Sequence, residues 1–239
     1  MSVHLADEKL FGLKKLSSLI PTGGVYLQRY FTALNLLDEE KRVNLDIGCF
    51  EGGLSNFLTE CKRKVIAIDI KMSKNPKFPF VLADARNLPF KRSSFDQIFC
   101  LDVLEHIKDD YTVAKEISRV LKINGALVIT TPSKHWKYPY YNFMKFISPN
   151  EKQLMKSFGH VRRGYDVSDI ENLFKNFRIE KVQYFINKFA ALFFDLEYSN
   201  LLILKNMILK FFGLFVYLNF KLSTKKWGTH IGVRLVKTK

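Results

Sequence analysis

The period of the apolar residues changes along this chain, and the changes mark its elements. Phe11, Leu13, Leu16, Leu19 and Ile20 recur at helical spacing until Pro21-Thr22-Gly23-Gly24 interrupts them. A second helix is expected from Val25 to Leu37. From Val43 onward, short runs rich in Val and Ile alternate with helical stretches. Strands are expected at 43–47, 64–69, about 79–83, 96–101 and 125–131, with helices over 52–61 and 109–121. After Pro132 the chain turns aromatic and basic, through Trp136, Tyr138, Tyr140 and Tyr141. A helix near 166–177 and strands near 178–186 and 229–236 complete the pattern. An apolar insertion, Phe189 to Phe220, separates those last two strands.

Strands alternating with helices imply βαβ units. The fold class expected is α/β: a doubly wound, mostly parallel sheet with helices on both faces and an antiparallel strand near the C-terminus. Residues 1–40 read as an N-terminal helical segment. Residues 41–239 read as one domain, with 188–222 as a helical insertion. The 239 residues suffice for that, and 47% hydrophobic with 26% charged residues excludes a disordered or collagen-like chain. Three cysteines, Cys49, Cys61 and Cys100, have no C-x-x-C spacing, which argues against a disulfide framework or a zinc ribbon and for a reducing compartment. The opening MSVHLADEKLF carries Asp7 and Glu8 where an export signal needs positive charge, so a cytoplasmic location is expected. The net charge of +15 suits a polyanion, whether nucleic acid, anionic lipid or phosphorylated substrate, and equally a lysine-rich solubilising surface.

Sheets of this kind bind ligands at the carboxyl ends of their strands. The first strand runs into Asp46-Ile47-Gly48-Cys49-Phe50-Glu51-Gly52-Gly53, a glycine-rich turn that lets backbone approach a ligand. No G-K-[ST] follows, so the turn is not a triphosphate-binding P-loop. The second strand ends in Asp69, 21 positions after Gly48, near the spacing at which an acid reaches a ribose hydroxyl. Asp84 follows in Leu82-Ala83-Asp84-Ala85, and the fourth strand ends in Leu101-Asp102-Val103-Leu104-Glu105-His106.

This ordered set resembles class I S-adenosylmethionine-dependent methyltransferases, particularly the group of ubiquinone-pathway and small-molecule enzymes. The resemblance rests on LDIGCFEG at 45–52, Asp69, LADARNLPF at 82–90, FDQIFCLDVLEHI at 95–107 and RVLKINGALVITTP at 119–132. It covers residues 40–135 well and is weaker over GHVRRGYDVSDIENLF at 159–174. It implies a Rossmann-like fold and S-adenosyl-L-methionine as cofactor. Gly48 and Gly52 should then lie against the methionine part, with Asp46 holding the loop or reaching the amino group. Asp69 should accept the ribose hydroxyls, Asp84 and the Ala85 backbone should meet the adenine, and Leu101 should line the pocket. The family has glycine where this chain has Phe50, whose ring must either crowd the cofactor or turn away.

Methyl transfer needs alignment, desolvation and, for a hydroxyl acceptor, a place for the proton. Asp102, Glu105 and His106 are candidates for that work. On a helix Asp102 and His106 would share a face, and His106 has a pKa suited to a general base. The same groups could instead brace the following helix or hold a divalent ion, and no metal site is assigned on this evidence. His135, just after the fifth strand, is a second catalytic candidate. His160 and Arg162, in Gly159-His160-Val161-Arg162-Arg163, are candidates for binding an acceptor phosphate or carboxylate. His4 and His230 have no supporting context.

The absence of N-P-P-Y or D-P-P-Y disfavours the adenine-N6 and glutamine methylating group, and the absence of a Pro-Cys pair disfavours covalent pyrimidine chemistry. In the insertion, the longest uncharged run after Lys210 is Phe211 to Phe220, too short to span a bilayer, which takes about 18 apolar residues. Aromatic residues mixed with Lys205, Lys210 and Lys221 suit an interfacial helix, a core element or a homodimer contact. The expected function is methylation, at oxygen or nitrogen, of a small-molecule or lipid-linked acceptor, cell-envelope or quinone-like, at the inner membrane face. An RNA or protein methyltransferase, or a non-catalytic cofactor-binding or membrane-interaction protein, is the alternative. Nucleic acid is the less favoured partner.

Overall fold

The computed structural model describes residues 24–41, 43–71, 76–200 and 218–239. Helices α1 (Gly24–Leu36), α2 (Gly53–Glu60), α3 (Asp110–Val120), α4 (Glu151–Phe158), α5 (Val167–Leu173) and α6 (Lys188–Glu197) surround one sheet. Its strands are β1 (Val43–Ile47), β2 (Lys64–Asp69), β3 (Phe80–Leu82), β4 (Phe95–Leu101), β5 (Leu121–Pro132), β6 (Phe177–Phe185) and β7 (His230–Lys237). The strand order is β3-β2-β1-β4-β5-β7-β6. All neighbours are parallel except β7, which runs antiparallel to both β5 and β6. The winding direction reverses between β1 and β4, and that switch opens a crevice beyond the strand ends.

Side chains alternate across the central strands, so each strand feeds two cores. Phe99 and Leu101 of β4 and Val128 of β5 join one apolar cluster with α1, α2 and α6. Ile98 and Cys100 of β4 and Leu127 and Ile129 of β5 join the other, with α3 and α5. This is the doubly wound arrangement that the alternation of strands and helices implies. The described part of the N-terminal segment is built into the core, with Leu27, Phe31, Ala33, Leu34 and Leu36 of α1 buried. The first expected helix, before Pro21, lies outside the described residues.

Short polar signals set the helix ends. Asp109 caps α3 by accepting from the Thr112 N–H, and Asn150 with Gln153 and Asp166 with Asp169 form capping boxes on α4 and α5. Two boundaries differ from expectation. β5 begins at Leu121 rather than 125, because Leu121 pairs with Phe95 before a register shift brings Ala126 opposite Gln97. α5 ends at Leu173 rather than 177, because Phe174 leaves helical geometry and packs edge-on against Phe177. The start of the insertion forms α6 and residues 218–222 are again helical, while 201–217 lie outside the described residues. Among the described residues no helix is long and apolar enough to cross a membrane.

Candidate active site

A cavity of about 940 Å³ opens where the carboxyl ends of β1, β2, β4 and β5 meet. Its floor begins at the β1–α2 loop. Gly48 and Gly52 have φ of 71° and 78°, which an L side chain rarely adopts. A Cβ on Gly48 would sit 2.4 Å from Val103 Cγ2, and one on Gly52 would sit 2.2 Å from the Phe78 ring. Gly48 and Gly53 line the cavity, whereas Gly52 turns the chain behind it. The turn is pinned to β2 by the Gly48 and Cys49 N–H groups, which donate to the Ile68 carbonyl at 2.8 and 3.1 Å.

Phe50 is left-handed too, at φ 50°. That backbone conformation explains why glycine suits the position. Its ring is 67% exposed and stands on the cavity rim, so it does not fill the pocket. The Phe50 N–H donates to Asp69 Oδ2 at 2.9 Å, and the Lys71 N–H donates to Asp69 Oδ1 at 3.0 Å. Asp69 therefore ties the loop to the end of β2 while facing the cavity.

Asp46 is buried and accepts from the Ser55 hydroxyl at 2.7 Å, which couples β1 to the first turn of α2. Burial pushes its carboxyl up to about 7, against the opposing Ser55 hydrogen bond. Asp84 lines the far side, clasped by Arg86 Nε and a terminal guanidinium nitrogen at 3.1 and 2.6 Å. That pairing holds its carboxyl below the usual range. Ala85 and Leu101 are buried and line the same cavity.

The opposite half holds Asp102, Glu105, His106 and His160. Asp102 sits at φ 54°, accepts from the Thr130 hydroxyl at 2.8 Å, and pairs with Arg29 at 3.4 Å. Glu105 and His106 fall on a 3-10 turn, Leu104–His106, rather than on an α-helix. Glu105 is fully buried, and that burial, with the Asp102 charge second, pushes its carboxyl well above the usual range. The His106 and His160 rings meet edge to face at 4.6 Å. Burial, then the His106 charge, lowers the His160 imidazole to about 4, so it is neutral near pH 7.

Besides Gly52, two expected site residues lie outside the lining. His135 is exposed and outside the cavity lining, its Nε2 lying 3.1 Å from Asp166 Oδ2 at the start of α5. The chain turns its side chain toward that cap, so it does not serve the cavity. Arg162 is also outside the lining: it donates to Asp110 Oδ2, the Leu104 and Lys108 carbonyls and the Tyr165 hydroxyl. It braces the 104–110 turn in place of binding an acceptor. Its neighbour Arg163 does line the cavity, paired with Glu151 at 2.7 Å.

The sequence did not reveal the remaining walls of this half of the cavity. Arg29 and Tyr30 arrive from α1, Tyr138 and Tyr140 from the loop after β5, Phe194 from α6 and His230 from β7. Tyr138, Tyr140 and Phe194 pack on one another at 5.4–6.2 Å between centroids. The available signal was the density of aromatic residues after Pro132. His230 is buried, contacts Thr229 Oγ1 at 3.0 Å and is lowered to about 4 by that burial.

Residues 45–129 match the family model described as a methyltransferase domain. A malonyl-[acyl-carrier protein] O-methyltransferase of Legionella pneumophila is 30% identical over 115 residues, covering 43% of this chain and 40% of that protein. The chain spans well under half the length of the curated relatives it matches first. In fold, it is similar to an S-adenosylmethionine-dependent methyltransferase of Thermotoga maritima, with a TM-score of 0.60, 18% identity and 89% of each chain covered. It is also similar to phosphoethanolamine N-methyltransferase 2 of Haemonchus contortus, solved with S-adenosyl-L-methionine, with a TM-score of 0.59 and 19% identity over 91% of this chain and 54% of that one.

Proposed function

We propose that the chain is a class I S-adenosylmethionine-dependent methyltransferase and that it methylates an oxygen or nitrogen of a small-molecule or lipid-linked acceptor. The observation that carries the reading is a single cavity with two unlike halves. One half has the side-chain-free Gly48 and the carboxylates of Asp69 and Asp84, the donor set that fits a charged nucleoside with an amino-acid tail. The other half has packed aromatic rings, three imidazoles and a buried carboxyl.

Bound in the first half, S-adenosylmethionine supplies a methyl group already activated on sulfur. Asp69 accepts the ribose hydroxyls. Asp84 and the Ala85 backbone meet the adenine. The Gly48 backbone lies along the amino-acid tail, and Asp46 holds that turn through Ser55. In the second half the Tyr138, Tyr140 and Phe194 rings exclude water and orient a flat or apolar acceptor. His106, on the cavity wall, accepts the proton of an acceptor hydroxyl.

A lipid-linked acceptor is favoured by the exposed apolar residues around the insertion. Phe189, Leu218, Leu222 and Trp227 are all exposed, and Phe146 is 91% exposed beside Lys145. Together with the +15 charge they suit peripheral contact with an anionic cytoplasmic leaflet.

The test is calorimetric titration with S-adenosylhomocysteine, followed by labelled-methyl transfer into lipid and small-molecule extracts. Micromolar binding and label in an organic-soluble product support the reading. Absence of binding refutes it, and label appearing in RNA or protein alone moves the acceptor to those classes.

A further inference from the structure

We propose that Glu105, His106 and His160 form a binding site for a divalent first-row transition-metal ion at the acceptor end of the cavity. Each offers one donor atom, and the three donor atoms lie within 4.8 Å of one another. All three residues line the same cavity. The sequence kept them apart, because His160 follows His106 by 54 positions.

A second observation points to a ligand. Glu105 has no solvent exposure, and its Oε1 has no hydrogen-bond partner among the described residues. Its Oε2 accepts from the Thr131 hydroxyl at a long 3.4 Å. Buried polar atoms are almost always partnered, and an orphaned carboxyl oxygen beside two imidazoles is a donor available to a cation. Asp102 does not compete for this place, since Thr130 and Arg29 engage its two oxygens.

Main-chain bonds hold the three residues together. The Val161 N–H donates to the Glu105 carbonyl at 2.9 Å, the His106 N–H to Val103 at 3.0 Å, and the His160 N–H to Met155 at 2.9 Å. Arg162 adds its bond to the Leu104 carbonyl at 3.1 Å. The site is therefore built on a clasp between two loops. Metal–ligand bonds of about 2.0–2.2 Å place neighbouring ligand atoms roughly 3 Å apart. His106 is exposed, so its ring has room to turn toward the other two.

The donor set selects the ion. Two imidazole nitrogens and one carboxylate suit zinc, cobalt, iron or manganese, whereas magnesium and calcium prefer oxygen alone. Three protein ligands leave coordination positions open, and they face the cavity. With the ion bound, His106 is a ligand and no longer the base: an acceptor hydroxyl held there gives its proton to water instead and becomes nucleophilic at neutral pH. Its oxygen forms the new O–C bond as the S–C bond breaks, with that electron pair staying on sulfur. This last step rests on the methyltransfer reading, whereas metal binding itself does not.

The full-length protein, stripped with a chelator, is titrated with Co²⁺ and followed by its visible ligand-field bands and by calorimetry. One equivalent is expected to bind, with Mg²⁺ unable to compete. Glu105→Gln and His160→Ala should each weaken Co²⁺ binding by about 10- to 100-fold. His135→Ala should leave it unchanged. S-adenosylhomocysteine is titrated into every variant as the fold and cofactor-site control. Retained S-adenosylhomocysteine binding with no Co²⁺ uptake, or Co²⁺ binding undiminished in both ligand variants, overturns the site and leaves the family reading intact.

Discussion

Asp69 holds the Phe50 turn in this structure and, on the proposed function, also accepts the ribose hydroxyls; a double-mutant cycle with Phe50 separates the two. Phe50 holds a left-handed backbone conformation, which costs an L-residue about 1–2 kcal/mol. Its N–H donates to Asp69 Oδ2 at 2.9 Å, and a hydrogen bond to a charged acceptor contributes about 1.5–3 kcal/mol. The bond therefore offsets the strain. In Asp69→Ala the anchor is gone and the strain remains, so the turn relaxes and endangers the Gly48, Cys49 and Gly52 main-chain bonds around it. In a Phe50→Gly background the turn carries no such strain, because glycine accepts a positive φ freely.

Asp69→Ala should accordingly destabilise the wild-type background by about 2–3 kcal/mol and the Phe50→Gly background by about 1 kcal/mol less. Urea unfolding of the four proteins at fixed pH measures this directly. Additivity of the two substitutions within about 0.5 kcal/mol would show that Asp69 does not hold Phe50 in place. Cofactor affinity separates the second duty. S-adenosylhomocysteine binding should stay weak in the double variant even where stability returns, because the ribose hydroxyls still lack their acceptor.

Three further outcomes follow from single contacts. Gly48→Ala should destabilise by about 2–4 kcal/mol, from left-handed strain plus the Val103 clash, and Val103→Ala should recover part of it; an unfolding midpoint equal to wild type refutes the close packing. Asp46 has its folded pKa raised to about 7 against an unfolded value near 3.9, so its neutral form favours the native state. That contribution is complete below about pH 4 and is lost as pH rises to about 7, at most about 4 kcal/mol; Asp46→Asn should flatten this part of the stability–pH curve, and parallel curves refute it. Asp195→Ala removes the acceptor for the Tyr140 and Tyr141 N–H groups, at 3.0 and 2.8 Å, and should cost about 2–4 kcal/mol with faster amide exchange over residues 138–141; unchanged exchange there contradicts the bracing role.

The cofactor half of the site was legible because it is local in the chain. A strand, its glycine turn and the next strand end are contiguous signals, and Asp46, Gly48, Asp69, Asp84 and Ala85 all reach one cavity or its floor. The acceptor half is assembled by tertiary contacts that leave no spacing to read. His160 is brought beside Glu105 by the Val161 and Arg162 N–H groups, which donate to the Glu105 carbonyl across a long separation, and His230 arrives from the antiparallel β7. Position on a strand end also says little about direction. His135 follows β5 but turns to the α5 cap, and of two adjacent arginines Arg163 faces the cavity while Arg162 turns into the brace. The φ of Phe50 was hidden for the same reason, since only the Asp69 contact makes that conformation tolerable.

This division has a consequence for acceptor choice. The matched family region, 45–129, contains the cofactor loop and the acids Asp102 and Glu105. Arg29, the Tyr138 and Tyr140 rings, His160, Phe194 and His230 all lie outside it. Arg29 lies beside the acids of the cavity floor: it pairs with Asp102, and its charge opposes the upward shifts of Asp46 and Glu105. That one cation does not cancel the burial of Asp46 and Glu105, whose carboxyls stay biased toward their neutral forms. Helix α1 thus sets the electrostatics of a site whose chemistry is supplied by the matched core. On the proposed function, acceptor specificity belongs to the elements around that core, so substitutions at Arg29 or Tyr140 should change which acceptor is used while leaving cofactor affinity in place.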